Sequence, residues 1–141
     1  MNRRERTAVL AGARTEEVKD AAKEIRESCE IQILKQPQKT LVMVKVRESV
    51  KKSLFYLGEV LATECMVTVN GIKGASVMAG DDFEKCISAA IIDGYLNDAS
   101  NDHRAVLEKI EKLKEKQEKA REKLNRQLRK SKVNFNVMGE Q

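Results

Sequence analysis

Residues 41–82 read LVMVKVRESVKKSLFYLGEVLATECMVTVNGIKGASVMAGDD. Val42, Val44 and Val46 alternate with Met43, Lys45 and Arg47, the period of two that sends successive side chains to opposite faces of a sheet. One face of this first strand should be covered and the other partly solvated. Residues 49–53 read as a charged connection, and the β pattern resumes at 55–57. Gly58 then interrupts it, as a bulge or a close backbone approach does. Cys65, Val67 and Val69 alternate with Glu64, Met66 and Thr68, the mark of a half-buried strand. Asn70 and Gly71 tolerate the two consecutive positive φ angles of a type I′ turn, so 72–79 should return antiparallel. Gly74 leaves the register open, because the loop could extend that far.

Helical patterns flank this stretch. Residues 3–12 fit a short helix stopped at Gly12. Thr15 reads as the N-cap of a second, with Glu16 and Glu17 at its positive end. Val18, Ala21, Ala22 and Ile25 form its apolar face. Ile31, Ile33 and Leu34 could begin a strand, which Pro37 breaks. Downstream, Asp81 and Glu84 have the spacing of a capping box. Phe83, Ile87, Ala90, Ile91 and Tyr95 then line one face of a helix that should lie across the sheet.

From about residue 102 to 130, Val106, Ile110, Leu113, Gln117, Ala120 and Leu124 step by fours and threes, a narrow seam that weakens at Gln117 and Ala120 and that Leu128 extends imperfectly. Glu108 with Lys112, Glu115 with Lys119 and Glu122 with Arg126 are favourable i,i+4 pairs. At about 1.5 Å per residue this helix is roughly 40 Å long, against a radius of gyration of about 13 Å for the remaining chain. It should overhang its own domain. After it, Val133, Phe135 and Val137 alternate with polar residues, as in a terminal strand. The expected architecture is therefore α+β: a small, mostly antiparallel sheet packed by helices, with a long C-terminal helix and a terminal strand. Residues 1–100 form the core domain, and 101–141 an interaction arm.

Composition narrows the function classes. The 141 residues carry a net charge of +5. Residues 103–132 hold 12 basic and 5 acidic groups, leaving 15 basic and 17 acidic elsewhere. The basic character belongs to one helix, whose glutamates interleave with its lysines and which has no aromatics to stack on bases. Nucleic-acid binding is disfavoured accordingly. Three widely spaced cysteines (Cys29, Cys65 and Cys86) and one histidine (His103) suit neither a disulfide framework nor a zinc site. No apolar run approaches the ~20 residues of a membrane span, and no secretory leader is evident. The expected location is the cytoplasm.

Chemistry is sparse. The glycines at 71, 74 and 80 fit neither phosphate-loop pattern, and Gly80 precedes two aspartates that would repel phosphate. Asp81, Asp82 and Glu84 are explained by helix capping without a metal ion. Cys65 has no base nearby in sequence, so a core thiol is the simpler reading. No catalytic residue and no metal ligand is assigned.

One resemblance adds to this. FYLGEVLATECMV, then VNG with Gly74, then Gly80-Asp81-Asp82, AAIIDGYL around Asp93 and the closing VNFNVM resemble the PhnG family, the G subunit of the bacterial carbon–phosphorus lyase system. The characteristic positions, in order, are Phe55, Gly58, Thr63, Gly71, Gly74, Gly80, Asp82 and Asp93. The resemblance implies action with the H, I and L subunits to displace adenine from ATP with a phosphonate. The product is α-D-ribose 1-phosphonate 5-triphosphate, the 1-methylphosphonate when the substrate is methylphosphonate. It further implies a core complex of G, H, I and J, with G closest to I and with J, a radical S-adenosylmethionine subunit, later breaking the carbon–phosphorus bond. ATP and phosphonate are substrates of that complex, and no cofactor belongs to this chain alone. The candidate interface is Val106, Ile110, Leu113, Leu124, Leu128, Val133, Phe135 and Val137. The alternatives are a self-associating protein, dimeric or larger, that exchanges helix and tail between copies, or a nucleic-acid-binding module.

Overall fold

The hairpin turn lies where the dipeptide at 70–71 puts it. In a computed structural model of the chain, Asn70 (φ 50°) and Gly71 (φ 84°) form the turn and Val69 pairs with Ile72. The structure describes residues 1–47, 50 and 53–139, with the side chains of 55 and 132–139 excepted, so the connection expected at 49–53 lies mostly outside the described residues. The element order is α1 (Arg3–Gly12), α2 (Thr15–Ser28), β1 (Ile31–Arg47), β2 (Leu54–Val69), β3 (Ile72–Ala79), α3 (Phe83–Asn97) and α4 (Arg104–Gly139). The strands form one antiparallel sheet in the order β1-β2-β3. The α+β architecture is as expected.

Pro37 does not end the first strand. It sits between register shifts at Ile33/Lys35 and Lys35/Gln38, on the edge strand, where a missing N–H is tolerated. Nor does Gly58 interrupt β2. The irregularity lies beside it: Val44 pairs with Gly58 and Lys45 with Tyr56, which leaves Leu57 as the extra residue of a bulge.

The two long strands outrun everything that could cover them. Seventeen residues of β1 span about 55 Å at about 3.3 Å each. The fifteen residues of α3 span about 22 Å. The near end of the sheet packs on α3 and buries Cys65, Val67, Val69 and Met78. The far end, residues 41–47 against 54–61, stands out as a two-stranded arm. Residues 41–46, expected to be covered on one face, are open on both. Leu41 (62%) and Met43 (55%) are exposed on one face, and Val42 (38%) and Val46 (39%) on the other.

Helix α3 is buried all round, with Ser88, Ala89, Ala90, Ile91, Ile92 and Gly94 inaccessible, because the sheet lies on one side and α1 and α2 on the other. One apolar face was expected; the sequence of small residues lets two layers close on it. Its N-cap is Asp82, one residue later than the capping box suggested, accepting a hydrogen bond from Lys85 N at 3.0 Å. The cap of α2 moves the other way, to Arg14, whose backbone N–H donates to Glu17 Oε1 at 3.1 Å.

Helix α4 overhangs as expected, but its first turns belong to the core. Val106 and Ile110 are buried there and Leu113 packs against them. From 118 to 131 every residue is exposed. The expected terminal strand at 133–138 is not formed, and the helix continues through it to Gly139. A strand needs a neighbour to satisfy its N–H and C=O groups. None of the three strands pairs with this segment, whereas a helix satisfies those groups within itself.

Candidate partner-binding surface

Where β3 crosses α3, two backbones nearly touch. A Cβ on Gly74 would stand 2.2 Å from Ala90 O and 2.3 Å from Gly94 N, and one on Gly94 would meet Val69 Cγ2 at 2.8 Å. Beside this crossing Asp93 is buried. Its carboxylate accepts from Ala75 N at 2.9 Å, from Arg3 Nη2 at 2.7 Å and Nε at 2.9 Å, and from Asn97 Nδ2 at 3.3 Å. Arg6 approaches it at 3.9 Å. Asp93 thus ties α1, β3 and α3 together.

At the opposite end of α3, Gly80 (φ 96°) turns the chain out of the sheet. Thr63 Oγ1 donates to Gly80 O at 2.9 Å. The Asp82 carboxylate, besides capping α3, accepts from the hydroxyl of Thr15 at the start of α2. Those two hydrogen bonds hold its pKa below the usual carboxylate range. A capped, ion-paired or hydrogen-bonded carboxylate with its lone pairs in use is a fastener.

The thiols show the same character. Burial, with Cys86 as neighbour, pushes the Cys65 thiol up to about 11. Cys86 is also raised by burial, and it donates to Thr63 O at 3.4 Å. A thiol that stays protonated is not a nucleophile. His103 Nε2 lies 2.7 Å from Asp98 O, in the turn before α4, and hydrogen-bonds to neither thiol. Among the described residues no group of histidine, cysteine and acidic side chains could hold a metal ion, and no helix is long and apolar enough to cross a membrane. A cleft along α2, lined by Glu16, Lys19, Asp20, Lys23, Arg26 and Ser88, mixes both signs of charge and presents no convergent set.

What the surface does present is apolar area on the β1–β2 arm. Leu41, Met43, Leu54, Tyr56 and Leu57 are each more than half exposed. Single exposed apolar residues are ordinary, but contiguous apolar patches mark interaction sites. This surface was missed in the residue-by-residue reading. Its signal was present: residues 41–44, Leu-Val-Met-Val, are apolar at both parities. Such a strand reads as one covered on both faces, and this chain has too few elements to cover it.

The residues expected at the interface divide into three groups. Val106 and Ile110 lie in the chain's own core, with Leu113 half-buried against them. Leu124 and Leu128 are exposed on the overhanging part of α4. The side chains of Val133, Phe135 and Val137 lie outside the described residues. The apparent weak point of the seam, Gln117, is a clamp: its Nε2 donates to Val9 O at 2.9 Å, near the C-terminal end of α1. Lys109 and Lys116 of the basic helix reach Asp20 and Glu17 of α2, at 3.9 and 3.1 Å.

A comparison with protein families matches residues 1–139 to phosphonate metabolism protein PhnG. The chain belongs to the PhnG family. A comparison with curated proteins gives no match. Membership gives the chain a role in phosphonate metabolism, and it puts the described geometry in a different light. Most of the positions that carry the PhnG resemblance (Thr63, Gly71, Gly74, Gly80, Asp82 and Asp93) are the turn, the crossing, the exit and the fasteners just described. They build the junction of sheet and helices. Of the other two, the side chain of Phe55 lies outside the described residues, and Gly58 is an exception, since a Cβ there meets open space and its φ lies outside the glycine-favouring region.

Proposed function

We propose that this chain is an accessory, non-catalytic subunit of the cytoplasmic carbon–phosphorus lyase core complex. In that role it supports the displacement of adenine from ATP by a phosphonate, in which a phosphonate oxygen bonds to the ribose carbon as the bond to adenine breaks. ATP and phosphonate are held by the assembled complex, and this chain supplies structure to the neighbouring I subunit, alongside H, J and L. The observation that carries the reading is the apolar two-stranded arm, exposed on both faces in a chain whose buried carboxylates and thiols are all committed to packing. Leu124 and Leu128 on the overhanging helix are a second exposed apolar feature.

Co-expression with the I subunit tests it. Stoichiometric co-purification is expected, with neither protein retained alone at the same yield. Independent elution of two folded proteins would contradict it. A role in nucleic-acid binding is not favoured, because lysines of the basic helix are paired to α2.

A further inference from the structure

In the docked half of α4, two lysines mark how the helix meets a neighbour. Lys116 Nζ lies 3.1 Å from Glu17 Oε2, and Lys109 Nζ lies 3.9 Å from Asp20 Oδ2. Beside them, Ile110 is buried and Gln117 clamps α1. The contact thus joins a lysine row to carboxylates, next to a line that is closed over. The row continues. Lys109, Lys116, Lys123 and Lys130 recur every seven residues, and at about 100° per residue they share one side of the helix. Residues 110, 117, 124 and 131 keep the same spacing beside them. Helix α2 does not continue with the row. It runs against the direction of α4, from Asp20 beside Lys109 to Glu17 beside Lys116, and it starts at Thr15 behind an arginine cap. Among the described residues Lys123 and Lys130 make no ion pair, and Leu124 (54%) and Leu128 (58%) are exposed.

We propose that this overhang docks an acidic amphipathic helix of a partner protein. Its carboxylates take up the lysine row where α2 leaves off, and its apolar face covers Leu124 and Leu128. The charge pattern selects that occupant. Residues 118–131 hold six basic and two acidic groups, a surplus of four basic. With Leu124 as the reference line, Arg121 lies about 60° to one side and Lys123 about 100° to the other, while Glu118 and Glu122 lie about 120° or more away. The rim of the apolar line is therefore cationic on both sides. A second copy of the overhang would set these cations against their own kind in either direction, and like charges beside a helical seam disfavour pairing. Nucleic acid would match the charge but leave the leucines uncovered, since a phosphate backbone offers no apolar face. The inference rests on the reading of this chain as a subunit of a larger complex, and it adds the chemistry of what α4 meets there.

Photo-cross-linking in the assembled complex tests this. The photoreactive residue p-benzoylphenylalanine replaces Leu124 in the full-length chain, co-expressed with the H, I, J and L subunits, and the adduct is mapped by mass spectrometry. The expected adduct is with a segment of a partner subunit that carries net negative charge and apolar residues at helical spacing. An adduct with a second copy of this chain, with nucleic acid, or with a neutral or basic segment would overturn the proposal. So would an assembled complex that gives no adduct. If no complex assembles, the proposed function falls as well, so the two failures are told apart. Affinity gives a second readout. Lys123→Glu with Lys130→Glu should weaken binding to the other subunits at least about tenfold. Arg126→Glu with Arg129→Glu, the same charge change on the side away from Leu124, should alter it less than about threefold. All four positions are exposed, so both variants should fold as the wild type does. Equal effects of the two pairs, large or small, would overturn the proposal.

Discussion

Gly74 and Gly94 meet backbone to backbone, with the space for a Cβ on Gly74 ending 2.3 Å from Gly94 N. No side chain flexes there to make room. Gly74→Ala should therefore push β3 off α3 and cost about 3 kcal/mol or more, read as a fall in the urea midpoint. Gly58→Ala, with open space around the new methyl, should leave the midpoint of the isolated chain within about 0.5 kcal/mol. Equal losses at both sites would contradict the reading of Gly74 as a crossing point.

Asp93 holds three elements, and its substitutions should separate two contributions. Asp93→Ala removes the acceptor for Ala75 N and leaves Arg6 without its buried partner, at a cost of about 2–4 kcal/mol. Asp93→Asn keeps an acceptor for Ala75 N and should lose less. The measurement is equilibrium denaturation of both variants, and the expected order is wild type, then Asn, then Ala.

Asp82 gives the fold a defined acid response. Its pKa is lowered in the folded chain, chiefly by the Thr15 hydroxyl and then by Lys85 N–H. A lowered folded pKa means the carboxylate stabilises the fold fully above the ordinary carboxylate pKa of about 4. That contribution fades as pH falls through the folded value. Asp82→Ala should cost about 1 kcal/mol at neutral pH, as loss of an N-cap does. The difference from wild type should shrink steadily below about pH 4. A gap that stays constant down to pH 2 would remove the carboxylate from the explanation.

The turn at Asn70 and Gly71 and the helical periodicity of α3 and of the start of α4 were legible in the sequence, because each is set by neighbours within a few residues. Strand length was not. Pro37 and Gly58 are locally disruptive, yet cross-strand pairing with β2 and β1 carried the strands past both. Residues 133–138 alternate as a strand would, but alternation supplies no partner, and the backbone satisfied itself as helix. Gln117 looked like a flaw in an apolar seam because its use, binding Val9 O 108 positions away in sequence, depends on tertiary packing. The family pattern was legible, and its junction role became clear only when Gly74 was seen to cross α3 at Gly94, Asp93 to bind β3 and α1 from α3, and Asp82 to cap α3.

The thiols should report the same packing. Cys65 and Cys86 are buried, and Cys29 is partly exposed. In the folded chain, a thiol reagent at pH 8 should label Cys29 quickly and the other two only on unfolding. Rapid labelling of Cys65 would contradict its burial and its pKa of about 11.

The central claim is that this chain acts in phosphonate metabolism by lending apolar surface on its arm. The most direct test is the affinity of the folded chain for the I subunit, compared between wild type and an arm variant carrying Leu41→Lys and Met43→Lys. Both positions are more than half exposed, so the variant should fold with an unchanged circular dichroism spectrum and melting temperature. The account predicts that it binds the I subunit at least about a hundredfold more weakly, a loss of about 2.7 kcal/mol by the affinity relation. Unchanged affinity in a folded variant would show that the arm is not where this chain does its work.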